Sequence, residues 1–97
     1  MPAERFTVVA VLDVPYSAVE DFQRYEELVL PLLLRHDGEL ERRLRSADAT
    51  TEVHVLSFPS EDAWRRYRED PERLAHRPLL AGAQVVQRVM EALTEVR

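Results

Sequence analysis

The chain has 97 residues, a net charge of −5, 45% hydrophobic residues and no cysteine. This size suits one domain spanning 1–97 with a packed core, and the lack of Cys excludes a disulfide scaffold, thiolate catalysis and Cys-based metal centres while fitting a reducing cytoplasm. The acidic balance disfavours nucleic acid as a partner. No stretch approaches the roughly 20 apolar residues of a membrane helix, and residues 1–15 lack the basic-then-apolar pattern of a secretion signal.

Residues 5–12 contain the run Phe6-Thr7-Val8-Val9-Ala10-Val11-Leu12. It is β-branched and apolar or Thr at every position, which predicts a strand buried on both faces. Pro15 and Tyr16 predict a turn. Ser17 to Glu20 has the spacing of a capping box, with Ser17 as N-cap of a helix running to about His36. Val19, Phe22, Tyr25, Val29, Leu32 and Leu33 form its apolar stripe. Pro31 lies within that stripe and predicts a kink or break, because it cannot donate to the carbonyl of Glu27. Gly38 is placed to end the helix as a left-handed cap.

Residues 39–46 and 52–58 read as strands two and three, joined by a short polar connection and hence an antiparallel hairpin. Ser60 caps a second helix whose inner face carries Ala63, Trp64 and Tyr67. Asp70-Pro71-Glu72 restarts a short helix to about His76. Pro78 to Gly82 reads as a loop. Residues 84–96 read as the last strand, with Val85, Val89 and Leu93 on one face and Val86, Met90 and Val96 on the other; a helix is the rival reading there.

The order β-α-β-β-α-β predicts an α+β, ferredoxin-like fold: a four-stranded antiparallel sheet with both helices on one face. The first and last strands are also apolar on the opposite face. Exposing such side chains forfeits roughly 1.5–3 kcal/mol each, so a second copy of the chain is the expected cover.

Three stretches carry a resemblance: Tyr25 to Gly38 (YEELVLPLLLRHDG), Thr51 to Ser60 (TEVHVLSFPS) and Ala63 to Leu80 (AWRRYREDPERLAHRPLL). Together they resemble the dimeric α/β-barrel superfamily, particularly the small bacterial family numbered 1330 among domains of unknown function. The resemblance implies two sheets packed face to face in a homodimer, with a cavity between sheet and helices. Relatives in that superfamily include cofactor-free monooxygenases of antibiotic biosynthesis, lactone isomerases, polyketide-tailoring enzymes and haem enzymes. The expected function is binding of a small hydrophobic or aromatic acid in the cavity. A cofactor-independent monooxygenase, isomerase or cyclase of small-molecule metabolism is the alternative, and a purely structural dimer the third possibility.

His54 is the first candidate for acid–base chemistry. If Leu44 pairs with Val53, then Arg43 pairs with His54, and Glu41, Arg43, Glu52 and His54 share a face; a one-residue slip would separate them. Arg43 is the candidate anion anchor, within a basic cluster of Arg35, Arg42, Arg43 and Arg45 that could equally guard a sheet edge or pair with Glu39 and Glu41. Trp64 and Tyr67, one turn apart, line a ligand pocket or fill the core. His76 is a second acid–base candidate near a cavity mouth, or an ordinary surface His. His36 suits a helix C-terminus. The three His lack metal-ligand spacing, and no Gly-rich phosphate loop, nucleophile elbow or zinc motif is present, so no metal or cofactor is expected.

Overall fold

In the computed structural model, residues 4–96 are described; residues 1–3 and 97 of the expected 1–97 domain lie outside them. The elements are β1 (Phe6–Asp13), α1 (Val19–Val29), β2 (Glu39–Arg45), β3 (Thr51–Phe58), α2 (Glu61–Arg68), α3 (Pro71–Ala75) and β4 (Val86–Met90). The strands form one antiparallel sheet in the order β2-β3-β1-β4. This is the ferredoxin-like α+β arrangement expected from the sequence.

Alternation within the two central strands divides the sheet into two faces. Val8, Ala10 and Leu12 of β1 lie opposite Leu56, His54 and Glu52 of β3, and all six are buried beneath the helices. Val9 and Val11 lie opposite Val55 and Val53 on the other face, where all four are only half-buried. The helix stripe also forms as expected: Phe22, Tyr25, Val29, Leu32 and Leu33 are buried.

Local chemistry explains where the element boundaries depart from expectation. Ser17 is not a helix cap; it sits in a 3-10 turn, Tyr16–Ala18, and α1 begins at Val19 without a side-chain cap. The α-helix ends at Val29 and continues as a 3-10 segment, Leu30–His36, whose second residue is Pro31. Pro31 lacks the N–H that the α ladder needs, so the winding changes there. The left-handed residue that stops this segment is Asp37 (φ 56°), not Gly38. Strand β4 is shorter than the expected 84–96. It ends at Met90, and Ala92 follows with a positive φ of 58°, a conformation that strands do not continue through.

Gly38 is required for space instead. A Cβ built on it would stand 2.6 Å from Phe58 Cε1 and 3.0 Å from Leu33 Cδ2. Phe58 has no exposed surface, and its ring packs on Trp64 and Tyr67 with centroids 5.4 and 5.7 Å away. Gly38→Ala is therefore expected to cost about 1–3 kcal/mol by forcing this ring out of place. Urea denaturation reads the effect, and an unchanged midpoint would contradict the assignment.

The start of α3 is anchored as its sequence predicts. Asp70 is buried, and its carboxylate accepts from the backbone N–H of Glu72 at 2.9 Å. It also bonds His36 Nε2 at 2.7 Å and Arg35 Nη1 at 3.2 Å, tying the end of the 3-10 segment to α3. These contacts account for Arg35 and His36 without any ligand.

Candidate functional site

The helices do not close fully onto the sheet. A cavity of about 630 Å³ lies between them, within the range of small-molecule sites. Its floor is the helix-facing row of the sheet, Ala10, Leu12, His54, Leu56, Gln87 and Val89. Phe22, Tyr25, Glu26 and Leu30 contribute one wall, and Trp64, Tyr67 and Leu74 another. Arg68, Arg73, Arg77 and Glu91 also border it. The cavity touches both clusters of buried apolar side chains, one around Phe58 and Trp64 and one around Phe22 and Leu12.

The register puts His54 in this cavity. Arg43 lies opposite His54 and Leu44 opposite Val53, as the sequence reading supposes. A bulge between Leu40 and Arg42 shifts the pairing beyond, so Glu41 has no partner in the row. His54 is 3% exposed, and its Nε2 lies 2.8 Å from Glu52 Oε1.

Arg43 pairs with Glu52 in a two-pronged contact, Nε to Oε1 at 2.7 Å and Nη2 to Oε2 at 3.2 Å. Arg45 Nε donates to the same carboxylate at 2.9 Å. Arg43 is not among the residues lining the cavity; it borders a shallow groove with Leu34 and Leu40 instead. Arg42 is exposed opposite Val55. His76 is half-buried beside a separate depression with Arg24, Leu28 and Leu79.

Trp64 and Tyr67 serve the core and the cavity together. Both are 3% exposed and both line the cavity. The Trp64 indole N–H donates to the Glu91 carboxylate, and the Arg68 guanidinium stands 5.0 Å from the Trp64 ring. The Arg73 guanidinium stands 4.9 Å from the Tyr67 ring.

The sequence reading does not single out Glu26 or Arg73. Glu26 is 5% exposed and lines the cavity, and its carboxyl makes no hydrogen bond among the described residues. Its signal was helical spacing: it lies four residues after Phe22 and three before Val29, on the buried stripe of α1. Arg73 is half-buried, and its Nε is buried without a partner among the described residues. Nothing in the sequence distinguishes Arg73 from the other arginines around it.

These environments set the protonation states. Burial pushes the Glu26 carboxyl up to about 7; the Glu52 charge adds to this, and Arg43 and Arg73 oppose it. Burial also tends to raise Glu52, but hydrogen bonds from Arg43, His54 and Arg45 outweigh it and hold Glu52 at about 2. Burial pushes the His54 imidazole down, against the raising effect of Glu52. Near neutral pH, then, Glu52 is ionised and can only accept. The neutral His54 ring must carry its proton on Nε2, leaving an Nδ1 lone pair. Burial raises Tyr67 to about 12 and also raises Tyr25, so both keep their phenolic protons.

The result is an aromatic-walled space of mixed polar and apolar surface, bordered by three arginines and holding one carboxyl, Glu26, that is unpaired among the described residues. Among the described residues, no group of three or more His, Cys, Asp or Glu could hold a metal ion. No described helix is long and apolar enough to cross a membrane.

No protein-family model and no curated protein matches the chain, so the narrower likeness to family 1330 is not confirmed. Solved structures do match. A Nitrosomonas europaea protein named after the antibiotic biosynthesis monooxygenases superposes with a TM-score of 0.76 at 15% identity, covering 92% of this chain and 97% of its own. SnoaB, described as a cofactor-independent oxygenase from Streptomyces nogalater, gives 0.61 at 22% identity, covering 97% and 98%. An Agrobacterium tumefaciens protein of the nipsnap family, described as of unknown function, gives 0.66 at 19% identity, covering 94% and 90%. The chain thus shares with these proteins the ferredoxin-like α+β fold expected from its sequence.

Proposed function

We propose that the protein binds a small hydrophobic or aromatic carboxylic acid in the cavity between sheet and helices. The observation that carries this reading is the composition of the cavity wall. Trp64, Tyr67, Tyr25 and Phe22 offer aromatic surface, and Arg68, Arg73 and Arg77 supply positive charge. The Arg73 guanidinium, standing over the Tyr67 ring at the cavity wall, provides donors for a carboxylate. In a space partly shielded from bulk water, such a contact is stronger than it is on the open surface. Because the neighbours share only the fold, an oxygenase or isomerase reaction has no comparable support.

Trp64 is the only tryptophan in the chain, so its fluorescence reports on the cavity directly. Titration with benzoate and para-acetylbenzoate should give a saturable change that Arg73→Ala weakens. The absence of any saturable change with either acid would overturn the reading.

We further propose that two copies pair through the open sheet face. Val9, Val11, Val53, Val55 and Met90 are only half-buried there, and Leu44 is 45% exposed. Packing a second sheet on this surface removes it from water. Light scattering should report about twice the 11.3 kDa chain mass. Val9→Asp places a charge in the middle of that face and should split the dimer or unfold the chain. A wild-type mass of 11.3 kDa at micromolar concentration would contradict the pairing.

A further inference from the structure

Among the described residues, Glu26 is the one carboxyl lining the cavity that makes no hydrogen bond; the other, Glu91, accepts from Trp64. A buried carboxyl without a hydrogen-bond donor is expensive to keep ionised. Arg73 lines the same cavity; its Nη1 donates to the Arg68 carbonyl at 3.5 Å, and its Nε has no partner among the described residues.

We propose that Glu26 is the specificity-determining residue of the cavity: it takes up a proton when an anionic ligand enters and then donates a hydrogen bond to an oxygen elsewhere on that ligand. The ligand class that follows is an aromatic carboxylate carrying a second acceptor, a carbonyl or hydroxyl oxygen. The inference rests on the cavity reading above.

A ligand carboxylate in the cavity repels an ionised Glu26 across a low-dielectric space, so the anion and the proton bind together. The groups around Glu26 leave room for this coupling. Tyr25 on its own helix and Tyr67 on α2 stay neutral. Glu52 on β3 is an anion already matched by Arg43 and Arg45 of β2, with neutral His54 beside it. Arg68, Arg73 and Arg77 border the cavity as cations, and Glu91 is held by Trp64. In the empty cavity Glu26 already stands at about 7, so a modest further push completes its protonation near neutral pH.

The test uses two matched probes, para-acetylbenzoate, which carries the extra carbonyl oxygen, and para-isopropenylbenzoate, which keeps the planar shape with a CH2 group in place of that oxygen. Kd is read by Trp64 fluorescence between about pH 6 and about pH 9, a range in which neither probe titrates. In the wild type, Kd for para-acetylbenzoate should rise at least about tenfold across this range, as one linked proton allows. The preference for para-acetylbenzoate should be about fivefold at the acid end and vanish at the alkaline end, where an ionised Glu26 has no proton to donate. Glu26→Gln keeps a donor and cannot ionise, so its affinity should be flat with pH and its preference retained throughout. Glu26→Leu should bind both probes equally. A wild-type profile that is flat, or that Glu26→Gln reproduces, would overturn the role of Glu26 while the observed binding upheld the cavity. No binding of either probe by the wild type would remove the cavity reading itself, and this inference with it.

Discussion

Glu52→Gln should lower the unfolding free energy by about 2–3 kcal/mol at neutral pH, a figure reduced from the buried-pair range because Arg45 reaches solvent. Glu52 is 1% exposed and accepts from Arg43, Arg45 and His54 together. Glutamine fills the same volume but leaves the two guanidinium groups without their counter-charge. The acid limb of the stability curve should change as well. The folded-state value of about 2 lies below the ordinary 4.5. The stabilisation is therefore complete above about pH 5 and is lost as pH falls from 4.5 towards 2. Urea denaturation at a series of pH values should show the variant and the wild type converging in acid. A constant gap down to about pH 2 would contradict the assignment.

Glu26→Gln should act with the opposite sign. The Glu26 carboxyl is raised from 4.5 to about 7. The folded state thus holds this proton more tightly than the unfolded chain, and stability falls as pH rises from 4.5 through 7. Above about pH 8 the wild type carries a penalty of about 2–3 kcal/mol that the variant lacks. The variant should be the more stable protein there and equal to the wild type near about pH 4. A variant less stable than the wild type at about pH 8 would mean that Glu26 is a structural acid with a partner. Two glutamates facing the same layer thus diverge because one has three donors and the other has none among the described residues.

Much of the architecture was legible because it depends on periodicity. The β-branched run of β1 and the stripe from Phe22 to Leu33 mark which faces are buried. Pro31 marks the change from α to 3-10 winding, because its missing N–H is a local fact. The pairing of Arg43 with His54 was one of the registers open to a short connection, and the structure adopts it. Boundaries that depend on tertiary context did not follow. Ser17 has the spacing of a cap, yet the 3-10 turn at Tyr16–Ala18 starts the helix differently. Gly38 looked like a conformational residue, but the closeness of Phe58, twenty positions away, is what demands it.

The candidate site was legible only in part. His54, Trp64 and Tyr67 line the cavity, and each stood out as a residue type unusual for its place. Arg43 stood out equally, but sequence could not show that Glu52 accepts from it on two atoms. Glu26 was hidden in a run of helix-forming residues, although its spacing from Phe22 and Val29 pointed inwards. Arg73 is one of 13 basic residues, and only the fold reveals its buried Nε.

The proposed ligand occupies the space between helices and sheet. Backbone amide shifts of isotope-labelled protein, followed by NMR during titration with para-acetylbenzoate, test it most directly. The account predicts saturable shifts concentrated at Tyr25, Glu26, His54, Tyr67 and Arg73. Shifts concentrated instead at Val9, Val55 and Met90 on the opposite sheet face, or no shifts at all, would contradict it.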